Sequence, residues 1–364
     1  MKRIAIISRN FTGGGIEKVT EELINGFISK NNSVTLILFK NDNISNVNKK
    51  CNIEILSSDG KITKISQIRP YLFAKKLKKI FIENNFDLIL SNLSDFEGMK
   101  SISLTKVEKL YTIVHNTQSK RRFKRHQKKN FSILKYFKEY RIKKSFKNKN
   151  LVCVSNGVKD DLLNNIKAEP KTIKTIYNPF NKKEILKKSL YKNKCIPNEK
   201  YIIHVGRFEI IHKRQDILLK AYKKSNIKAK LVLLGDGDDK IILKKLVKEL
   251  NIEKNVIFVG FQDNPYNWIK NASLFVFSSD YEGFGNVLVE SLILNTPVVS
   301  TNCKSGPSEI LTGELSKYLV PVGDIDKLSL MIKSALCYYP DIKDEHVENF
   351  ISDNIINKYL ELIN

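Results

Sequence analysis

Residues 274–294 read LFVFSSDYEGFGNVLVESLIL. The four apolar residues Leu274 to Phe277 have the length and character of a strand buried on both faces. Gly283 and Gly285 mark a turn, and from Asn286 onward Val287, Leu288, Leu292 and Ile293 return at helical spacing. An apolar strand that runs through a glycine turn into a helix is half of a strand–helix–strand unit, which predicts a parallel sheet covered by helices. The same order recurs around it. The second half of the chain also offers YIIHVG, LVLLGD, VIFVGF, PVVSTN and YLVPV as strands, with DILLKAYKK, KIILKKLVKEL and KLSLMIKSAL as helices between them. The first half repeats the scheme with RIAIIS, VTLILF, IEIL, DLILSNL, LYTIVH, LVCVSN and TIKTIY. There Ile16, Val19, Leu23 and Phe27 fall on one helical face.

A chain of 364 residues with 42% apolar residues is long enough for two cores. The expectation is an α/β protein of two doubly wound domains facing each other across a cleft, residues 1–180 and 181–346. The polar stretch from about Asn181 to Lys200 reads as a linker, and the last helix, about residues 347–364, as packing back on the first domain. Ligands of such sheets sit at the carboxyl ends of the strands.

Charge is divided unevenly. Residues 1–180 hold 36 Lys+Arg against 15 Asp+Glu, and the remainder holds 27 against 23. The densest part, 120–149, has 14 basic residues and one acid, Glu139, interleaved with aromatic and aliphatic residues. A basic helix with an apolar face suits an anionic bilayer, with Arg121, Arg122, Lys124, Arg125, Lys128 and Lys129 as its cations. The ordinary alternative is a solvated face in a lysine-rich chain. No apolar run has the length of a membrane span, and MKRIAIIS reads as a strand, not a signal peptide. The five scattered cysteines lack any C-x-x-C pair, which argues against a disulfide framework or zinc site and fits a reducing cytoplasm.

Several residues could carry chemistry. Glu282 and Glu290 sit on either side of the glycine turn, where carboxylates can accept from the hydroxyls of a sugar and a ribose. The amides around Gly283, Phe284, Gly285, Asn286, Val287 and Leu288 could approach an anion near the helix start. Arg207 and Lys213 follow the strand YIIHVG and could neutralise a diphosphate. Gly14 and Gly15 belong to a glycine-rich turn that either brings backbone close to a ligand or is a plain tight turn. His115 ends the strand YTIVH, where a structural and a functional histidine are equally reasonable.

Together these motifs resemble the retaining nucleotide-sugar glycosyltransferases of family four, which have the GT-B fold. EGFGNVLVE carries the family's two spaced glutamates. TGGGIEKV, VHN, LVCVSNGVKDDL, IYNPF, VGRFEIIHKRQDILLKAY, LVLLGDG, VIFVGF and TPVVSTNCKSGPSEIL follow the family's order over most of the chain. The resemblance implies that Arg207 and Lys213 grip the donor diphosphate, with Gly14 and Gly15 approaching it. It implies that Glu290 binds ribose, that Glu282 with Gly283 to Asn286 holds the donor sugar, and that Val287 and Leu288 meet a phosphate. His115 would lie by the reacting sugar, and Phe261 and Gln262 by the base. The implied reaction moves a hexose or N-acetylhexosamine from a nucleotide sugar, UDP-linked by analogy with bacterial surface-polysaccharide enzymes, with retention. The nucleotide sugar is a substrate, and no cofactor or metal is expected. Asp236-Gly237-Asp238 spells D-x-D but falls where the family has a turn.

The excess charge of the first half points to an anionic acceptor: a lipopolysaccharide, capsule or lipid-linked saccharide at the cytoplasmic face of the membrane. The rival reading is a basic nucleic-acid- or polyanion-binding protein. No nucleic-acid-binding motif occurs, and such a role gives no reason for EGFG, so no nucleic-acid partner is expected.

Overall fold

The computed structural model describes residues 1–11, 14–40, 44, 47–57, 68–119, 140–191, 193 and 195–363. The chain divides into two compact units, Met1–Pro179 together with Ser352–Asn364, and Phe180–Ile351. Arg121, Arg122, Lys124, Arg125, Lys128 and Lys129 lie outside the described residues.

Among the described residues the first unit builds a seven-stranded sheet in the order β3-β2-β1-β4-β5-β6-β7. The strands are β1 (Arg3–Ser8), β2 (Ser33–Leu38), β3 (Asn52–Ile55), β4 (Leu88–Ser91), β5 (Leu110–Val114), β6 (Asn150–Cys153) and β7 (Thr172–Thr175). Every pairing is parallel. The central strands β1, β2 and β4 are almost wholly buried, whereas the edge strands β3 and β7 alternate exposed and half-buried residues. A central strand of a parallel sheet is covered on both faces and so must be apolar throughout.

The second unit builds a six-stranded parallel sheet in the order β10-β9-β8-β11-β12-β13. Its strands are β8 (Tyr201–Val205), β9 (Lys230–Leu234), β10 (Val256–Gly260), β11 (Leu274–Phe277), β12 (Val298–Thr301) and β13 (Leu319–Val320). In each sheet the winding reverses beside one strand, at β1/β4 in the first and β8/β11 in the second. Such a reversal opens a crevice at the strands' carboxyl ends, because the two flanking loops leave in opposite directions.

Two sequence expectations need correction. Part of the stretch read as a linker is folded: Lys182–Ser189 is a helix of the second unit. Asn181 caps it, its Oδ1 accepting from the Glu184 amide at 3.1 Å, and Ile185 and Ser189 are buried. Polarity misled because only two of its eight residues face inward. The closing segment is also not one helix. Asp344–His346 and Glu348–Phe350 form separate 3-10 turns in the second unit, and the α-helix spans Ser352–Leu360.

That last helix packs in the first unit against the helix Gly15–Ser29. A Cβ on Gly26 would come within 2.5 Å of the Ile356 side chain, so the missing side chain there makes room for Ile356. Tyr359 meets Phe27 edge to face, with centroids 6.2 Å apart. Ile355 and Ile356 are fully buried. Ile356→Ala should therefore cost about 2–5 kcal/mol of first-unit stability, measured by urea unfolding.

Candidate active site

The loop after β11 is built around a buried carboxylate. Glu282 is 7% exposed, and its Oε1 accepts from Lys213 Nζ at 2.6 Å. His212 Nε2 lies 3.7 Å from the same oxygen. Burial alone would raise the Glu282 carboxyl, but Lys213 and His212 overcome it and hold the group below the usual carboxylate value. Lys213 also stands 5.6 Å over the Phe277 ring.

Both partners come from the short helix Ile210–Lys213, which is tied to the end of β11 by backbone contacts. The Ser278 hydroxyl donates to Lys213 O at 2.8 Å, and the Asp280 amide donates to His212 O at 2.9 Å. Arg214, in the left-handed region at φ 52°, forks onto Asp280 at 2.9 and 3.1 Å and also reaches Asp216. The His212 ring stacks on Tyr281 at 4.2 Å. Arg214, Asp280 and Tyr281 could not be recognised as supports from sequence, because each contacts a residue distant in the chain.

The turn itself depends on glycine. Gly285 has φ 91° and precedes the helix Asn286–Ile293. Gly306 has φ 96°, and a Cβ there would sit 1.6 Å from Phe284 O, so the 303–306 loop lies directly on the turn. Phe284 is buried between Phe180 and Phe350, at 6.4 and 5.4 Å, and anchors the turn to its own unit's core. The Leu288 amide already donates to Gly285 O at 2.9 Å, and Val287 lies in the helix's first turn. Glu290, in the next turn, is 6% exposed and accepts from the Tyr266 hydroxyl at 3.4 Å. Tyr266 is a neighbour the sequence did not reveal. Phe261 and Gln262 follow β10, with the Phe261 ring exposed.

Arg207 is exposed just beyond β8. Its carbonyl accepts from Gln215 Nε2 at 2.8 Å. Gln215 is fully buried and also reaches His204 Nε2 at 3.4 Å, while His204 Nδ1 bonds Val276 O at 3.0 Å. A carbonyl only accepts, so Nδ1 carries the proton and Nε2 receives the Gln215 amide. This relay fixes the backbone at Arg207 to β11. Gly235 and Gly237 let the loop after β9 rest on the same segment: Cβ atoms there would lie 2.0 Å from Gly206 O and 2.4 Å from Phe208 O. Asp236 caps its own turn, accepting from the Gly237 amide and from Lys240. Among the described residues no three His, Cys, Asp or Glu side chains group as a metal site.

In the first unit His115 is 9% exposed at the end of β5, with Nε2 2.7 Å from Asn92 Oδ1. The Asn92 amide donates to Thr20 Oγ1 at 2.8 Å, and Thr20 donates to Ile16 O. The chain of donors places the proton on Nε2 and leaves Nδ1 as the ring's acceptor. Beyond His115 the Asp161 carboxylate accepts from the Gln118 and Ser119 amides at 2.6 and 3.0 Å and from the Ser119 hydroxyl. Gly14 is extended and precedes the helix that begins at Gly15. Thr12 and Gly13 are outside the described residues. Asn92 and Asp161 lie in the segments DLILSNL and LVCVSNGVKDDL, but nothing in the sequence singled them out.

Two doubly wound parallel units, one with paired acids and bases at its switch point, define the class of two-domain transferases that use nucleotide-activated groups. Residues 13–184 match the family described as Glycosyltransferase Family 4, and residues 186–349 match Glycosyl transferases group 1. The chain belongs to this glycosyltransferase family and is a GT-B glycosyltransferase. It is 30% identical over 343 residues, 92% of this chain and 90% of the other, to the N-acetylgalactosamine-N,N'-diacetylbacillosaminyl-diphospho-undecaprenol 4-alpha-N-acetylgalactosaminyltransferase of Campylobacter jejuni. A glycosyltransferase structure from Rickettsia africae superposes with TM-score 0.76 at 19% identity, covering 100% of this chain and 97% of that one. The Anabaena protein HepE in complex with UDP and glucose superposes with TM-score 0.70 at 17% identity, covering 99% and 95%.

Burial pushes both His115 and His204 down from 6.5 to about 4. Above pH 6.5 both are neutral whether folded or unfolded. Between pH 6.5 and 4 the unfolded chain takes up protons that the folded chain refuses, so stability falls with pH, by on the order of 3 kcal/mol per histidine at the lower end. Urea unfolding at pH 7 and 5 should show this fall, and His204→Asn should remove its share. Gly306→Ala should cost at least about 3 kcal/mol by the same measurement, since it adds both strain and a backbone clash.

Proposed function

We propose that this glycosyltransferase moves an N-acetylhexosamine or hexose from a UDP-sugar, with retention, onto a saccharide carried by a lipid diphosphate, a lipopolysaccharide or a capsule precursor. It would work peripherally at the cytoplasmic face of the membrane. The observation that carries the reading is the nearly full-length similarity to the Campylobacter enzyme, whose name specifies an α-linked N-acetylgalactosamine transfer to a diphospho-undecaprenol saccharide. The lipopolysaccharide 1,6-galactosyltransferase of Escherichia coli, 27% identical over 215 residues, supports the wider acceptor class. UDP is favoured because HepE was solved with it. Among the described residues no helix is long and apolar enough to cross a membrane.

The chemistry follows from the charges at the second unit's switch point. A retaining transfer without a protein nucleophile needs the departing diphosphate stabilised while it takes the acceptor's proton. Arg207 supplies a guanidinium whose backbone is fixed through Gln215. Lys213 spends one of its three donors on Glu282, and the others can serve phosphate oxygens. Glu282 in turn keeps Lys213 aimed and accepts from a hydroxyl of the donor sugar. Glu290 accepts from ribose hydroxyls. In the first unit, Nδ1 of the neutral His115 accepts from a sugar hydroxyl. No metal ion or cofactor takes part in this scheme.

UDP at about 100 times its dissociation constant should stabilise the protein by about 2.7 kcal/mol, read as a rise in melting temperature. GDP and ADP should give no rise, and Glu290→Ala should lose it. Arg207→Ala should lower kcat about a hundredfold, or roughly 3 kcal/mol in the barrier. A protein that gains stability from no uridine nucleotide would overturn the donor assignment.

A further inference from the structure

Among the described residues of the first unit, three aromatic side chains stand in solvent: Tyr71 and Tyr140 at 54% exposure and Phe96 at 53%. They come from three separate helical segments, Arg69–Asn84, Phe96–Ser103 and residues 140–146. Cations join them in space. Lys100 Nζ lies 4.7 Å from the Tyr71 centroid, the Arg141 guanidinium 4.1 Å from that of Phe96, and Lys144 Nζ 6.0 Å from that of Tyr140. Lys100 is one turn along the helix from Phe96, and Arg141 adjoins Tyr140, so the contacts form one continuous strip.

Among the described residues the acids nearby are already engaged. Glu97 faces Arg9 and Arg69, each at 3.5 Å, and Asp95 pairs with Arg9 at 2.5 Å. Glu169 is taken by Lys143 and Lys147. Among the described residues the strip therefore shows solvent both aromatic rings and positive charge without a carboxylate partner. Water suits the cations but not the rings. The headgroup layer of an anionic bilayer suits both, because it offers phosphates beside a partly apolar medium.

We propose that Tyr71, Phe96 and Tyr140, with Lys100, Arg141 and Lys144, form the surface by which this protein docks on an anionic lipid bilayer. The rings enter the headgroup region and the cations meet lipid phosphates. This rests on the membrane-borne acceptor of the proposed function and assigns that contact to particular residues. Charge complementarity favours a bilayer, since residues 1–180 carry 36 basic against 15 acidic residues. A nucleic acid is disfavoured because stacking bases need open ring faces, and one face of each ring here already holds a cation.

The test is flotation of the full-length protein with phosphatidylcholine vesicles, with and without phosphatidylglycerol, at low salt. The wild type should float only with phosphatidylglycerol. Tyr71→Ala/Phe96→Ala/Tyr140→Ala and Lys100→Gln/Arg141→Gln/Lys144→Gln should each lower the bound fraction about tenfold, while melting temperature and its rise with UDP stay unchanged. In Phe96→Trp, tryptophan emission should shift to the blue on vesicle addition and be quenched by brominated lipid. The native Trp268, 1% exposed, gives a constant background. The proposal is wrong if wild type does not float, if the aromatic variant floats as wild type does, or if the Phe96→Trp signal ignores the vesicles. Loss through the charge variant alone also overturns it, in favour of a general polyanion surface. An unchanged UDP response in any of these cases keeps the donor reading standing apart from the docking result.

Discussion

A carboxylate removed from water must be paired, or it gives up its charge. Glu282 satisfies that demand through Lys213, and much of the second unit's active loop is arranged to make the pairing possible. The two residues belong to loops after different strands, so their contact requires the β8 loop to fold back over the end of β11. Ser278 and Asp280 hold it there through backbone atoms, and Arg214 adds a forked ion pair on the far side. With that fixed, the glycines at 285 and 306 have little freedom left: one turns the chain into its helix, and the other lets a second loop lie against Phe284. The loop is therefore held in place by several independent contacts.

The first unit follows a different logic. His115 is held neutral by burial and oriented by an amide, not by a carboxylate. With its value pushed down to about 4, the ring carries no charge at neutral pH. The Asn92–Thr20–Ile16 chain links β4 to the helix after β1, so the ring's orientation is set at the sheet's point of reversal. Positive charge in this unit is placed at the surface instead, where Arg9 and Arg69 already absorb the local acids.

Element type and the parallel pairing were legible because apolar runs such as Leu274–Phe277 are best housed in a parallel sheet buried on both faces. Glu282, Glu290, Arg207 and Lys213 stood out in the sequence as candidates because each lies near a glycine that follows an apolar strand. What the sequence concealed is relational. It presented Lys213 as a free cation for phosphate, and only the structure shows its ammonium against Glu282. Gln215 and Asn92 are ordinary polar residues until their partners are seen. Asn181 to Ser189 looked like solvated linker because a helix with one buried edge carries few apolar residues.

The chain enters the second unit after Pro179 and returns to the first at Ser352. In topological terms the second unit is an insertion within the first. The groove beside Gly26, made early in synthesis, stays open until Ile356 emerges. The first unit is thus begun first on the ribosome and completed last, after the whole of the second has been made. Loss of Ser352–Leu360 would strike the unit whose other part precedes Phe180, and a nascent chain stalled within the second unit would carry an unsealed apolar groove for chaperones to cover.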